Sequence, residues 1–298
     1  MTIDLLRHML AMAVIIQHMH SESRYSLATN LQIADVVYWI DGAVVGFFAL
    51  SGYFFSNAKP LSEYLKGRVV RLLVPFLVFS LAYAVALAVL GKSDLWPGLW
   101  KTVTLHGSGM QLYFLPYLLL VVGTYATYSK LAPSLASNVK ADVLIALVLL
   151  GATLANGSDE STGAGIIMLP LYALAFLLGR LVKSWNSAGY RNYVLLALLY
   201  GVGMWDHRFM DMALAISLLL IAIGFERWAP DRRLAGSGGV YLLHTPIVNF
   251  AISTVLVHFG LVQIPNVILS VILTYALCLL LTLAFDHLLP RWKWLLLE

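Results

Sequence analysis

The sequence predicts an all-α integral membrane protein, a bundle of about ten transmembrane helices with both termini in the cytoplasm. Three observations predict it. Hydrophobic residues fill 60% of the 298 positions and charged residues only 11%, where a soluble domain carries about 25% charged residues. Apolar runs close to the length of a bilayer crossing recur along the chain, parted by polar breaks bearing Gly or Pro. The basic residues alternate between those breaks as the positive-inside rule requires. The single cysteine, Cys278, lies in an apolar run, which excludes an internal disulfide framework and a cysteine metal cluster. Basic residues scattered between apolar spans give no nucleic-acid signal.

The first span, 3–20, contains "LLRHMLAMAVIIQHMH". It has no charged region ahead of its apolar stretch and no small-x-small cleavage site after it, so it reads as a retained span rather than a secretory signal. The following spans are 35–56, 69–90, 110–130, 141–156, 163–182, 191–206, 211–227, 238–258 and 264–287. Breaks such as "NAKPLSEYLKGR", "SKLAPSLASN" and "FGLVQIPN" have loop and cap chemistry. With the N-terminus in the cytoplasm, the inward set is Arg7, Lys59, Lys66, Arg68, Arg71, Lys130, Lys140, Arg180, Lys183, Arg191, Arg227, Arg232, Arg233, Arg291 and Lys293. Only Arg24, Lys92, Lys101 and Arg208 fall outside. A missed span would scramble that bias, so it supports both count and orientation. Trp96, Trp100, Trp185, Trp205, Trp228, Trp292 and Trp294 fall near span ends, as an aromatic belt requires. The chain reads as a single transmembrane domain over 1–298.

Polar groups inside the spans are functional candidates, because a charge at the bilayer centre costs about 2.5–3.5 kcal/mol or more. Arg7 and His18 are eleven residues apart, which puts them on one helix face about 16 Å apart along the axis. His8 and His20 read as boundary residues. Asp41, an acid just inside the outer boundary, is placed to orient an imidazole at the depth of His18. "IDGAVVGFFALSGYFF" sets Gly42, Gly46, Ser51 and Gly52 among large apolar residues, a pattern that close helix packing alone explains. Arg68 and Arg71 stand at i, i+3 with Lys59 and Lys66 nearby; both a phosphate clamp and a topology anchor fit them. Tyr241 and His244 lie a turn apart in "GGVYLLHTPIV", where His244 serves either a site or a hydrogen bond inside the bundle.

These stretches together resemble acyltransferase family 3, integral-membrane acyltransferases that modify bacterial surface glycans and related molecules. "DLLRHMLAMAVIIQH" carries the resemblance through Asp4, Arg7, Ala11, Val14 and His18, followed by "GFFALSGYFF", "RVVR" and "YLLH". The chain departs from the family pattern at Val45, where an acid or proline is frequent, and in "QLYFL", where Gln111 and Tyr113 replace His and Trp. The resemblance implies transfer of an acyl group, usually acetyl, from cytoplasmic acetyl-CoA or another acyl-CoA to an acceptor hydroxyl. In that reading His18 is the catalytic histidine, Arg7 supports it and Asp41 raises its basicity. Arg68 and Arg71, with Lys66 beside them, hold the phosphates of the coenzyme. Ser51, Tyr113, Tyr241 and His244 line the substrate pocket, and no metal takes part. The expected acceptor is a lipid-linked or nascent glycan such as an exopolysaccharide, and the expected location is the bacterial cytoplasmic (inner) membrane. His18 acts either as general base or as transient acyl carrier; the base role needs only one histidine. The rival class is a transporter or exporter of a glycan or small organic acid, against which stands the lack of inverted repeats and paired broken helices.

Overall fold

The computed structural model describes residues 2–21, 23–56, 58–156, 166–185, 189–226 and 234–297, and these are helical with no strand. Arg227, Trp228, Arg232 and Arg233 of the topology reading lie outside the described residues. The helices are α1 (Thr2–Gln17), α2 (Leu27–Ile40), α3 (Ala43–Tyr53), α4 (Leu61–Arg68), α5 (Val74–Val89), α6 (Leu95–Val103) and α7 (Phe114–Leu131). After them come α8 (Pro133–Ala136), α9 (Val139–Ala155), α10 (Leu169–Ser184), α11 (Tyr190–Gly203), α12 (His207–Glu226), α13 (Ser237–Leu243), α14 (Asn249–His258) and α15 (Gln263–Leu288).

Among the described residues, six helical segments are long and apolar enough to cross a membrane: Leu27–Tyr53, Leu61–Val89, Gln111–Leu131, His207–Glu226, Ser237–His258 and Gln263–Leu288. They make the chain a multi-pass membrane protein. The other four expected spans are helical too, as α1, α9, α10 and α11, but run only 16, 17, 16 and 14 residues. That is short of the roughly 20 residues a crossing needs. Their limits have local causes: Asn138 caps α9 through a hydrogen bond to the Lys140 amide, Pro170 opens α10, and α11 begins after Gly189.

The chain forms two compact units. The first comprises Met1–Leu6, Gly42–Leu72 and Phe114–Asp231. Its centre is α10, buried along most of its length and packed on α3, α7, α9 and α12. The α3–α10 crossing brings backbone against backbone. A Cβ on Gly52 would stand 1.8 Å from the Phe176 carbonyl oxygen, and one on Gly179 would stand 1.9 Å from that of Ala49. Gly42 meets the Asp211 carbonyl in the same way, at 2.7 Å. The small residues of the third helix therefore do what their pattern predicts, which is to let helices touch. Either Gly52→Ala or Gly179→Ala is expected to lower stability by about 1–3 kcal/mol, read as a lower unfolding temperature in detergent; an unchanged temperature would show that the crossing is not tight.

Beside the crossing, the Phe48 and Tyr172 rings stack at 4.5 Å. Asp142 of α9, 1% exposed, accepts a hydrogen bond from the Tyr125 hydroxyl at 2.8 Å and one from Arg180 Nη2 at 3.3 Å. Two apolar grooves flank α9, of about 270 and 230 Å3. Neither is lined by a carboxylate or an imidazole, so proton-transfer chemistry must be sought elsewhere.

The second unit comprises Arg7–Asp41, Leu73–Tyr113 and Arg232–Glu298. In it α13 and α14 pack on α15, and α5 packs on α6. The loop after α1 is pinned by polar contacts: Asn30 bonds the backbone of Ser21 and Tyr25, and Gln263 accepts from Ser26 and Thr29. The Tyr25 hydroxyl joins a buried network with Ser253, Asn266 and Ser270. His8, expected at the boundary, is instead buried, with Nδ1 2.9 Å from the Tyr275 hydroxyl. A partner on α15 removes the cost that would have driven it to the surface.

Candidate functional site

The site grows from a break in the segment "YLLHTPIV". Pro246 has no N–H to return to the Leu242 carbonyl, and Thr245 leaves helical geometry at φ −132°, ψ 153°. Carbonyls freed inside an apolar bundle must find other donors. Here side chains supply them. The Tyr83 hydroxyl donates to Leu242 O at 2.5 Å. Gln111 Nε2 donates to Leu242 O at 3.1 Å and to Thr245 O at 2.6 Å. The Tyr241 hydroxyl in turn donates to Gln111 O at 2.7 Å.

His244, fully buried, stands at this break with Nδ1 2.9 Å from Tyr241 O and 3.3 Å from Val240 O. Both neighbours are carbonyl oxygens and can only accept, so Nδ1 carries the hydrogen. In the neutral ring Nε2 is then a bare lone pair, and it is buried without a partner. The His244 ring stacks on His18, with centroids 5.4 Å apart and planes 26° apart. His18 is the first residue beyond α1, and its carbonyl, an orphan of the helix end, accepts from Asn249 Nδ2 at 3.1 Å. One helix break thus positions both imidazoles, one by its carbonyls and one through Asn249 on its far side.

Two further buried oxygens around the break lack partners, Gln111 Oε1 and Asn249 Oδ1. Both amides have their nitrogen fixed on carbonyls, which sets which end is oxygen. With His244 Nε2 this makes three acceptors wanting donors. A group rich in hydroxyls would satisfy them, and an anion would not.

The remaining predicted residues divide between the units. Arg7 lies half-buried on α1, in the second unit with His18. Asp41 caps the end of α2, is exposed, and accepts from Gln17 Nε2 at 3.2 Å; it makes no hydrogen bond to His18. Tyr113 is half-buried in the short 3-10 turn Met110–Tyr113 that also carries Gln111. Ser51, Lys66, Arg68 and Arg71 belong to the first unit. The Ser51 hydroxyl returns to the Phe47 carbonyl one turn back, at 2.9 Å. Among the described residues Lys66, Arg68 and Arg71 form no ion pair, whereas nearby Lys59 is paired with Glu63 at 2.7 Å. Arg68 lies over the Tyr64 ring at 5.1 Å. Arg68 ends α4, and Arg71 lies just beyond it in a π-helical stretch. A π-helical turn, Val69–Leu73, joins α4 to α5, because Pro75 cannot close on the Arg71 carbonyl.

Tyr83, Gln111 and Asn249 were not expected to shape the site. The signal for them was a proline inside a predicted span, whose orphaned carbonyls require amide or hydroxyl donors from neighbouring apolar segments. No curated protein and no solved structure matches the chain. A family model described as an acyltransferase domain matches residues 2–283, nearly the whole length, and the chain belongs to that acyltransferase family.

Proposed function

We propose that this protein transfers an acyl group, acetyl in the first instance, from acyl-CoA to a hydroxyl of a membrane-associated or extracytoplasmic glycan. The observation that carries the reading is the stacked His18–His244 pair beside three buried acceptors that lack donors. Those acceptors take the hydrogens of neighbouring hydroxyls on the acceptor, which leaves the reacting hydroxyl to offer its own hydrogen to His18. His18, less enclosed than His244, takes that proton as general base. The acceptor oxygen then bonds to the thioester carbonyl carbon, the carbon–sulfur bond breaks, and the proton passes from His18 to the departing thiolate. The His244 stack fixes the plane of the His18 ring, and its bare Nε2 holds a second hydroxyl of the acceptor.

The donor's phosphates fall to Lys66, Arg68 and Arg71, cations that pair with no carboxylate among the described residues. Guanidinium forks match phosphate oxygens, and a charge-assisted hydrogen bond contributes about 1.5–3 kcal/mol. The double variant Arg68→Ala, Arg71→Ala is expected to bind coenzyme A at least about tenfold more weakly. Calorimetry on the full chain in detergent checks this, and unchanged affinity would refute the role. The same reading assigns ten crossings and both termini to the cytoplasm from the fifteen-to-four bias of basic residues, and takes the bacterial inner membrane from the family. Cysteine labelling of Lys130 and Lys101 positions in whole cells, with a membrane-impermeant reagent, should modify only the latter.

A further inference from the structure

Two of the four basic residues assigned to the outer side, Arg24 and Lys92, converge on one aromatic ring. Arg24 Cζ and Lys92 Nζ each lie 5.0 Å from the Phe250 ring centroid, so the two charges are no more than twice that distance apart. They come from separate parts of the second unit, the loop after α1 and the turn between α5 and α6. Among the described residues neither forms an ion pair with a carboxylate. Two like charges gathered on one ring, with no paired carboxylate among the described residues, repel each other, and the arrangement favours an anion between them.

Arg24 is held in place rather than left to wander. Its Nε donates to Ser21 Oγ at 3.0 Å, in the loop that Asn30 and Gln263 pin. Its Nη1 is buried without an acceptor, and a guanidinium cannot shed its proton to escape that cost. Phe250 directly follows Asn249, whose amide holds the His18 carbonyl. The cation pair therefore belongs to the same stretch of the second unit as the imidazole pair.

We propose that Arg24 and Lys92 bind an oxyanion of the phosphate class carried by the acyl acceptor, making that acceptor a lipid-linked phosphate glycan rather than a neutral polymer. The proposal rests on the acyl-transfer reading for the identity of the ligand. A fork and a point charge supplied from two segments suit a group with several equivalent oxygens and up to two negative charges better than a single carboxylate. Phe250, 39% exposed, gives the apolar stem next to that phosphate a surface to lie on. The hydroxyls of the attached sugar then meet the unsatisfied acceptors beside His18.

The test uses the full chain in phosphatidylcholine nanodiscs, with a short polyprenyl phosphate and the matching polyprenol as probes and phosphatidylglycerol as competitor. The phosphate is expected to bind at least about tenfold more tightly than the alcohol. Arg24→Gln and Lys92→Gln should each remove most of that preference, whereas the charge-preserving Arg24→Lys should keep part of it. Equal binding of phosphate and alcohol, or a preference that survives in the double Gln variant, would overturn the site. Displacement by phosphatidylglycerol at equal concentration would assign it to bulk headgroups and overturn the acceptor role. Binding is read without turnover. A wild-type protein that binds the phosphate as expected yet moves no acyl group from acetyl-CoA contradicts the acyl-transfer reading and leaves the oxyanion site standing.

Discussion

His18→Ala is expected to lower acyl transfer about 10²–10⁴-fold, the range a positioned general base contributes, with the fold intact. The separation of chemistry from folding follows from how His18 is held. Its anchor is the backbone carbonyl bonded to Asn249, which alanine retains. What alanine removes is the ring stacked on His244. His244→Ala is a less clean probe, because the His244 ring also serves the Tyr241 and Val240 carbonyls and its loss strands them in apolar surroundings. Initial rates of label transfer from acetyl-CoA, alongside an unfolding curve, decide the matter. A His18→Ala protein with near wild-type rate removes His18 from the chemistry.

Asp142→Ala should destabilise the protein by about 3–5 kcal/mol, the usual consequence of stripping one partner from a buried ion pair. Arg180 lies over the Tyr125 ring at 4.5 Å and the Phe55 ring at 5.3 Å, and its Nε is already buried without a partner. Without Asp142 the whole guanidinium charge is uncompensated, and the Tyr125 hydroxyl loses its acceptor as well. Removing both charges together, as Asp142→Leu with Arg180→Met, should recover much of the loss, since well-packed apolar replacements of buried pairs are often neutral. Unfolding in detergent compares the double variant with Asp142→Leu and Arg180→Met made singly. A double variant as unstable as the sum of its singles would show that the two residues do not act as a pair.

The helical membrane fold was legible because hydropathy and loop charge act over whole segments, and no single residue decides them. Small residues were equally readable: Gly52 sits where α3 and α10 touch backbones, as its setting among Phe and Leu suggested. The candidate site was legible at His18, His244 and Tyr241. That His18 and His244 stack depends on distant segments meeting, which spacing along one helix cannot show. Gln111 looked like a substitution in a family motif, yet it carries the carbonyls that Pro246 orphans. The spacing of Arg68 and Arg71 was legible, but not the π-helical turn that Pro75, four residues after Arg71, favours between them. His8 misled in the opposite direction: nothing local announced the Tyr275 hydroxyl that lets it stay buried. Prolines inside spans, and the polar side chains they recruit, were the under-used signal.

The most direct measurement of the central claim is label transfer by the purified protein. Wild-type protein in nanodiscs, given radiolabelled acetyl-CoA and a lipid-linked glycan fraction, should place label covalently on glycan hydroxyls as base-labile ester, and His18→Ala should place almost none. Label that stays in acetyl-CoA with wild-type protein, while unmodified glycan or small acid crosses the membrane of a proteoliposome, would contradict acyl transfer and establish the transporter instead.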